Sequence, residues 1–287
     1  MTKNQLFGKL TKQPLTLAMD RTNWKTRGNE VNILTLCVCL GDVGLPIIWT
    51  DLRQTGNSNS ATRIELVRRF IHLFGKDELH VLVGDREFIG KEWFSRLIDE
   101  DIPFVMRLRE NMYFTNKRGV KRKAVNLFRH LRQSGFCDLG KRYGQGVMVN
   151  LCAVRTSGKE LLVFACRGVE GADAAEAYMR RWNTETGFEK LKSHGFHMEA
   201  SRLRGDGKME LLLAVLAVAM AWRYACGIWS AKTVKPIKLK KHGRKEHSVF
   251  ARGLMLLGDL FHGVCKNLRQ VALVAFNILR TAVAAQE

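Results

Sequence analysis

The chain has 287 residues, of which 46% are hydrophobic, so it can bury a packed core and is not a disordered polypeptide. Lysine and arginine number 47 against 27 aspartates and glutamates, and the formal net charge of +20 indicates a polyanionic partner, either a nucleic acid or an anionic membrane. The longest apolar run, Leu211 to Trp222, has 12 residues where a membrane-spanning helix needs ~20, so we expect a buried core helix and no membrane partner.

Strands and helices alternate over residues 1–110 in the order β-β-β-α-β-α-β. Apolar runs predict the strands, and apolar residues spaced three and four apart predict the helices. The predicted strands are 15–22, two within 31–53, 78–88 and 103–110, and the predicted helices are 60–75 and 90–102. Because these strands are apolar on both faces, we expect an α/β core in which helices cover a central sheet.

The composition changes after residue 110. Residues 111–155 hold ten lysines and arginines and a single acid, Asp138. Dense turn signals and two apolar runs joined by Ser-Gly favour β structure, so we interpret 111–170 as a basic, β-rich insertion. The core is predicted to resume at 171–231 with two helices, and 232–287 to hold a basic linker and C-terminal helices.

The linker is strongly basic, since residues 232–246 contain seven lysines and arginines and one glutamate. Such a run is either a solvated surface or a phosphate-binding segment, and the net charge favours phosphate binding. Its candidate contacts are Lys240, Lys241, Arg244 and Lys245.

The seven cysteines are odd in number and irregularly spaced, which is typical of reduced thiols in the cytoplasm. Cys37 and Cys39 are close in sequence, but no second close pair accompanies them, so we predict buried thiols and no zinc site.

Three acids occupy positions that suit a metal site. Asp20 is predicted to end one apolar strand, Asp85 ends another, and Glu185 lies on a helix predicted around "AYMRRWNTETGFEKLK" (177–192). An acid that ends a buried strand is costly unless it is paired or binds a cation. If the three carboxylates meet, their oxygens suit Mg²⁺ or Mn²⁺, and two such ions ~3.5–4 Å apart promote attack on a phosphodiester.

Each acid also has an ordinary interpretation. Asp20 is placed to cap the following turn, Asp85 to pair with Arg86, and Glu185 to bridge the arginine four residues before it. On the helix, however, Tyr178, Arg181, Glu185 and Lys192 fall within a stripe of ~60°. Glu189 lies on the same stripe and is an alternative ligand to Glu185.

The sequence resembles insertion-sequence transposases of the DDE type, which have a ribonuclease H-like catalytic core. The insertion-sequence-four-like subgroup carries the signature Tyr-x2-Arg-x3-Glu-x6-Lys, which the stripe matches at every spacing. Asp20 lies in "LTLAMDRTNW" and Asp85 in "VLVGDREFIG". Further matches are "GNSN" (56–59), "IPFVMRLREN" (102–111), "LKSHGFHMEASRL" (191–203) and "KKHGRK" (240–245), so the resemblance covers about residues 15 to 255.

The resemblance implies a role for each of these residues. Asp20, Asp85 and Glu185 would form the catalytic triad and bind two Mg²⁺ ions, with Mn²⁺ as a substitute. Tyr178 and Arg181 would hold phosphates of the transposon end near a flipped base. Lys192 would contact DNA close to the scissile bond, and Trp182 would pack beside the site.

The resemblance also implies partners and location. Double-stranded DNA would bind as transposon ends and as target, and a second copy of the chain would complete a homodimer on the DNA. The protein would act in a prokaryotic cytoplasm, associated with the nucleoid.

Two features differ from the family pattern. The insertion of family members can supply an aromatic platform for the flipped base; here 111–170 contains no tryptophan, so Tyr113, Phe114 and Tyr143 are the candidates. Family members also carry an N-terminal helical domain that recognises the element's ends. Only 19 residues precede Asp20, so we expect a catalytic domain without that recognition module.

The leading hypothesis is a DNA transposase that cleaves at transposon ends and transfers the strand by cut-and-paste, through a hairpin intermediate. One alternative is a nuclease of the same fold acting on RNA–DNA hybrids or junctions. Another is a truncated, non-catalytic remnant that binds DNA or inhibits a full-length transposase.

Overall fold

The computed structural model describes residues 14–26, 29–41, 43–192, 207–241, 243 and 245–262, with the side chains at 24–26, 29–30, 182–192 and 260–262 outside the description. Its described strands form one ten-stranded sheet. They are β1 (Leu15–Thr26), β2 (Asn29–Leu40), β3 (Val43–Asp51), β4 (Leu79–Gly84), β5 (Phe104–Leu108), β6 (Tyr113–Thr115), β7 (Lys121–Lys123), β8 (Phe136–Gly144), β9 (Val147–Arg155) and β10 (Leu161–Arg167).

The order across the sheet is β3-β2-β1-β4-β5-β10-β9-β8-β6-β7. β1, β4 and β5 are parallel, whereas β2 is antiparallel to both of its neighbours. The first five strands therefore follow the order 3-2-1-4-5 with the second strand reversed, which is the ribonuclease H-like arrangement that the resemblance implies. The predicted fold class, a mixed central sheet flanked by helices, is confirmed.

Helices cover both faces of the sheet. They are α1 (Ser60–Phe74), α2 (Lys91–Asp99), the single turn α3 (Ala124–Leu127), α4 (Gly171–Lys192), α5 (Lys208–Thr233) and α6 (Val249–His262). α1 and α2 bury Phe70 and Trp93 in the larger apolar cluster on one face. α4 packs Ala174, Ala177 and Tyr178 on the other face, so that face lies directly beneath the predicted catalytic helix.

The start of α1 shows how sequence sets an element boundary. Asn59, in extended conformation, accepts a 2.8 Å hydrogen bond from the Thr62 amide and caps the helix. Gly75, at φ 93°, ends the helix in a conformation that favours glycine.

One predicted boundary is wrong. Asp20 was predicted to end its strand, but β1 continues to Thr26. It pairs antiparallel with β2 from Leu17↔Val38 to Thr26↔Asn29. Its pairing with β4 stops at Met19↔Gly84. Asp20 therefore lies at the point where β1 loses one partner strand and keeps the other.

The basic segment 111–170 supplies β6 to β10. β10 pairs antiparallel with β5, so these strands extend the central sheet directly. The division of the chain into a core, an insertion and a C-terminal part stays a prediction.

α5 is long and apolar enough to cross a membrane by length and composition, and 39% of its most apolar window is buried. It packs closely against α6, since a Cβ at Gly227 or at Gly253 would overlap backbone of the other helix. Leu211, Val215 and Val218 are exposed on α5. A single such helix is weak evidence for a membrane span. The predicted buried core helix is observed only in part, because α5 packs on α6 but leaves Leu211, Val215 and Val218 exposed.

Candidate active site

Asp20 and Asp85 lie side by side on the α4 face of the sheet. β1 and β4 are parallel neighbours, and Met19 on β1 is opposite Gly84 on β4. Asp20 is the residue after Met19, and Asp85 is the residue after Gly84. They follow Ala18 and Val83, which pack beneath α4, by two residues and so share their face. The side chains of Asp20 and Asp85 are 17% and 29% exposed.

Both carboxylates contact one guanidinium. Arg181 Nη1 lies 3.6 Å from Asp20 Oδ2, and Arg181 Nη2 lies 3.8 Å from Asp85 Oδ2. The Arg181 side chain is only 2% exposed, so its charge is compensated inside the protein by these two acids. Asp20 and Asp85 are 65 positions apart in the sequence, and Asp85 and Arg181 are 96 positions apart. The sheet and α4 thus bring distant parts of the chain together.

Tyr178 lies one turn before Arg181 and also contacts Asp85. Its hydroxyl donates a 3.1 Å hydrogen bond to Asp85 Oδ1, and its ring packs 4.8 Å from the Phe164 ring. The Arg181 guanidinium lies 5.2 Å from the Tyr178 ring centroid, in cation–π contact. Tyr178 and Arg181 are both buried and face the carboxylates, and their predicted contacts with phosphate stay a prediction.

The sequence reasoning assigned no role to Arg107, which also lies at the site. Its Nη1 is 3.9 Å from Asp85 Oδ1, and its Nη2 is 2.5 Å from Glu160 Oε1. Arg107 sits in β5, otherwise apolar, and its side chain is 10% exposed. A lone arginine inside an apolar strand was the signal, because a buried guanidinium needs an acidic partner.

The loop after β4 is anchored next to each acid. Arg21, which follows Asp20, pairs with Glu87 at 3.2 Å, and Glu87 lies two residues after Asp85. The Glu87 carbonyl also accepts a hydrogen bond from the buried Arg63. These non-covalent contacts hold together the chain segments that carry the two carboxylates.

Gly84, the residue before Asp85, has no room for a side chain. A Cβ there would lie 2.6 Å from Met106 Sδ and 3.2 Å from the Phe88 side chain. Phe88 returns toward Asp85 through a 2.9 Å backbone hydrogen bond from its amide to the Asp85 carbonyl. The glycine therefore allows Met106 and Phe88 to pack against the backbone directly before Asp85.

Several predicted residues lie outside the described part. Glu185, its alternative Glu189, Trp182 and Lys192 are on α4, but their side chains are not described, and neither is Arg244. Among the described residues no group of three acids, histidines or cysteines could hold a metal ion. The third ligand therefore stays a prediction. The oxygen donors of Asp20 and Asp85 fit a hard divalent cation.

Of the four phosphate contacts predicted in the linker, Lys240, Lys241 and Lys245 are described, and all three are exposed between α5 and α6. Of the three aromatic candidates in 111–170, Phe114 is wrong as a platform, because it is fully buried against Gly144. Tyr113 and Tyr143 are 53% and 48% exposed.

The titration of Tyr178 gives a test of this geometry. Burial raises the pKa of Tyr178 to about 12, against the opposing effect of the Arg181 guanidinium. In the unfolded chain a tyrosine pKa is about 10, so between about pH 10 and 12 the folded state keeps a proton that the unfolded state has lost. The free energy of unfolding should therefore fall by about 3 kcal/mol as the pH rises through that window.

Tyr178→Phe should remove this fall in the free energy of unfolding between about pH 10 and 12. At pH 9 the variant should be less stable by about 1 kcal/mol through the lost hydrogen bond to Asp85. Urea unfolding of both proteins at intervals from pH 9 to 12 measures the difference. The wild-type curve should start above the variant curve and cross below it as the pH rises, and two parallel curves would contradict the buried, protonated Tyr178.

Comparison with known proteins relates this site to a family. Residues 11–222 match the model of the transposase DDE domain. No curated protein matches the chain. The similar solved structures include the piggyBac transposase synaptic complex with hairpin DNA, at 14% identity and a TM-score of 0.43, and endonuclease V from Bacillus subtilis, at 11% identity and a TM-score of 0.35.

The alignment with the piggyBac transposase covers 91% of this chain and 57% of that one; the alignment with endonuclease V covers 67% and 87%. The family match spans well over half of the sequence and includes β1, β4 and α4, the three elements that hold Asp20, Asp85 and Arg181. The chain therefore belongs to the transposase DDE domain family.

Proposed function

We propose that this chain is the catalytic domain of a DNA transposase of the insertion-sequence-four-like subgroup. It would cleave a strand at a transposon end and transfer that strand to a new phosphodiester, in a cut-and-paste reaction through a hairpin. The observation that supports this most is the convergence of Asp20 and Asp85, from adjacent parallel strands, on one face of a DDE-domain sheet.

The family, one of DNA transposition and recombination, generally uses divalent metal ions. We propose two Mg²⁺ ions, replaceable by Mn²⁺, held by Asp20, Asp85 and Glu185. When bound, such ions activate the attacking oxygen and stabilise the leaving oxygen of the phosphodiester.

The protein's own groups would orient these acids and the DNA. The Tyr178 hydroxyl and the Arg107 guanidinium both contact Asp85 Oδ1, which fixes the orientation of that carboxylate. Arg181 and Tyr178 would hold phosphates of the transposon end near a flipped base, and Lys192 would contact the DNA close to the scissile bond.

The exposed lysines 240, 241 and 245, with Arg244, would bind the DNA backbone without reading its sequence. A homodimer on paired ends and a nucleoid location in the cytoplasm remain part of the proposal.

The experiment combines two DNA substrates. Supercoiled plasmid reports cleavage as conversion to the nicked circle, and a labelled duplex with a free 3′-hydroxyl reports strand transfer as label joined to plasmid. We expect both activities with Mg²⁺ or Mn²⁺ and neither with EDTA.

The outcomes separate the candidate functions. Cleavage without joining, together with faster cleavage of an RNA–DNA hybrid, would replace the transposase by a ribonuclease H-like nuclease. Binding of plasmid without either reaction in both metals would identify a non-catalytic DNA-binding protein.

A further inference from the structure

Two buried hydroxyl groups next to Asp20 have no hydrogen-bond partner among the described residues. They belong to Thr22 and Thr35, whose exposed fractions are 2% and 0%. A buried donor without a partner destabilises the folded state, so native structures keep few of them and each needs an explanation. In the described part of the chain these two are the only serine or threonine hydroxyls of that kind. Their position beside one carboxylate indicates a shared cause.

The register of β1 and β2 places both hydroxyls on the face that carries Asp20. Thr35 on β2 is directly opposite Asp20 on β1. Opposite residues of an antiparallel pair share a face, and their Cβ atoms lie about 4.5–5.5 Å apart. Thr22 shares the face because it lies two residues after Asp20, but its opposite residue is Ile33. Thr35 is therefore the better placed donor to the Asp20 carboxylate.

The predicted catalytic helix covers Thr35. α4 packs across β1, β2 and β3, and its Arg181 reaches the Asp20 carboxylate from the face that Thr35 shares. Because Thr35 is fully buried, solvent does not satisfy its hydroxyl. The hydroxyl is thus enclosed between the sheet and the helix, inside the candidate active site.

Two described contacts orient the Asp20 carboxylate. Oδ1 accepts a 2.8 Å hydrogen bond from the Arg21 amide, and Oδ2 lies 3.6 Å from Arg181 Nη1. Arg181 also contacts Asp85, so its guanidinium supplies positive charge to the same two acids that would bind a divalent cation. A carboxylate has about four acceptor positions, so Asp20 can accept from Thr35 in addition to its other contacts.

The hydroxyl of Thr35 has no use in the fold itself. Valine has nearly the same shape as threonine and would fill the same space without an unsatisfied donor. The neighbours of Thr35 along β2, Leu34 and Leu36, are apolar and buried. Side chains that bind metal ions, in contrast, are held in place by hydrogen bonds from neighbouring groups. Asp20 is the acid placed to use the Thr35 hydroxyl in this way.

We propose that Thr35 is a positioning residue that donates a hydrogen bond to the Asp20 carboxylate when a divalent cation is bound by Asp20 and Asp85. The inference deepens the proposed function, because it rests on that cation site. Without the cation the hydroxyl only destabilises the fold. With the cation it holds Asp20 in the orientation that binds the ion, so one group lowers stability and raises cation affinity.

The first measurement is the melting temperature in EDTA. Thr35→Val should melt about 2–4 °C above the wild type, because it removes the unsatisfied hydroxyl and keeps the shape of the side chain. Thr35→Ser should not melt above the wild type, because it keeps the hydroxyl. A melting temperature of Thr35→Val below that of the wild type would contradict the proposal.

The second measurement is the affinity for Mn²⁺, taken from the rise of the melting temperature with Mn²⁺ concentration, which needs no cleavage. The part of that rise that Asp85→Asn abolishes belongs to this site. Thr35→Val should weaken this affinity by about tenfold or more, whereas Thr35→Ser should stay within about threefold of the wild type.

The matched control is Thr16→Val. Thr16 is also buried on β1 and on the face of Asp20, but it lies four residues earlier, which is about 13 Å. This variant should bind Mn²⁺ like the wild type. Three results would overturn the role of Thr35: unchanged Mn²⁺ affinity of Thr35→Val, an equal loss for Thr35→Ser, or an equal loss for Thr16→Val.

The wild type separates this inference from the proposed function. If the wild type binds Mn²⁺ and Thr35→Val binds it equally well, the role of Thr35 is wrong and the cation site stands. If the wild type gains no stability from Mn²⁺ that Asp85→Asn abolishes, the cation site is wrong, and the inference and the proposed function are both overturned.

Discussion

We expect Asp85→Asn to lower the rate of metal-dependent plasmid cleavage by about a thousandfold or more, which corresponds to about 4 kcal/mol of transition-state stabilisation. A carboxylate that binds a divalent cation supplies full negative charge at the site, and an amide supplies only a carbonyl dipole. The amide has nearly the shape of the carboxyl group, so the lower cleavage rate would come from the lost charge and not from a change of shape.

The same similarity of shape should preserve the fold. The side-chain carbonyl of the new residue can still accept the hydrogen bond from the Tyr178 hydroxyl, and Met106 and Phe88 still pack against Gly84. Because Asp85 is 29% exposed, water compensates part of the charge lost opposite Arg181 and Arg107. Circular dichroism should therefore match the wild type.

The matched control is Asp101→Asn. Asp101 is 86% exposed and pairs only loosely with Lys76, at 3.4 Å, so its exchange should leave cleavage unchanged. Its φ of 49° is also acceptable to asparagine. Cleavage by the Asp85 variant at the wild-type rate would contradict the assignment of this carboxylate to the metal site.

The pairing of Asp20 with Asp85 illustrates what a sequence can predict. Both follow apolar strand patterns, and parallel strands of a central sheet place their carboxyl ends at one edge, so their proximity follows from local signals. The length of β1 does not follow from such signals, because its second half is held by register with β2 alone.

The role of Arg181 was harder to predict. Its spacing on the helix placed it on the stripe with Tyr178, but the sequence does not specify how deeply α4 packs onto the sheet. That depth decides that Arg181 is buried and contacts both acids. Likewise, no local pattern indicated that β10 would pair with β5, because strand pairing between distant segments depends on the assembled core.

The second large effect concerns stability. We expect Arg181→Met to lower the free energy of unfolding at pH 7 by about 2–4 kcal/mol. Breaking a buried ion pair costs about 3–5 kcal/mol, and the partial exposure of Asp20 and Asp85 reduces that figure. Methionine fills much of the space of the arginine side chain. The lower free energy of unfolding would therefore come from repulsion between two carboxylates that have lost their shared cation, and not from a cavity.

The neighbouring arginine is the matched control. Arg180 is 52% exposed and pairs with Glu176 one turn away, a surface contact that contributes less than about 1 kcal/mol. Arg180→Met should therefore unfold at nearly the wild-type urea concentration. Equal unfolding midpoints for the two variants would show that Arg181 does not stabilise the acid pair.

Divalent cations distinguish repulsion between the acids from a general packing defect. An ion that binds the folded state alone raises stability in proportion to its affinity for that state. Without Arg181, the two carboxylates repel each other more strongly, so they should bind the ion more tightly. Added Mg²⁺ should therefore raise the melting temperature of Arg181→Met more than that of the wild type. An equal rise in both proteins would mean that the Arg181 guanidinium does not affect ion binding by Asp20 and Asp85. That result would contradict the assignment of Arg181 to this site.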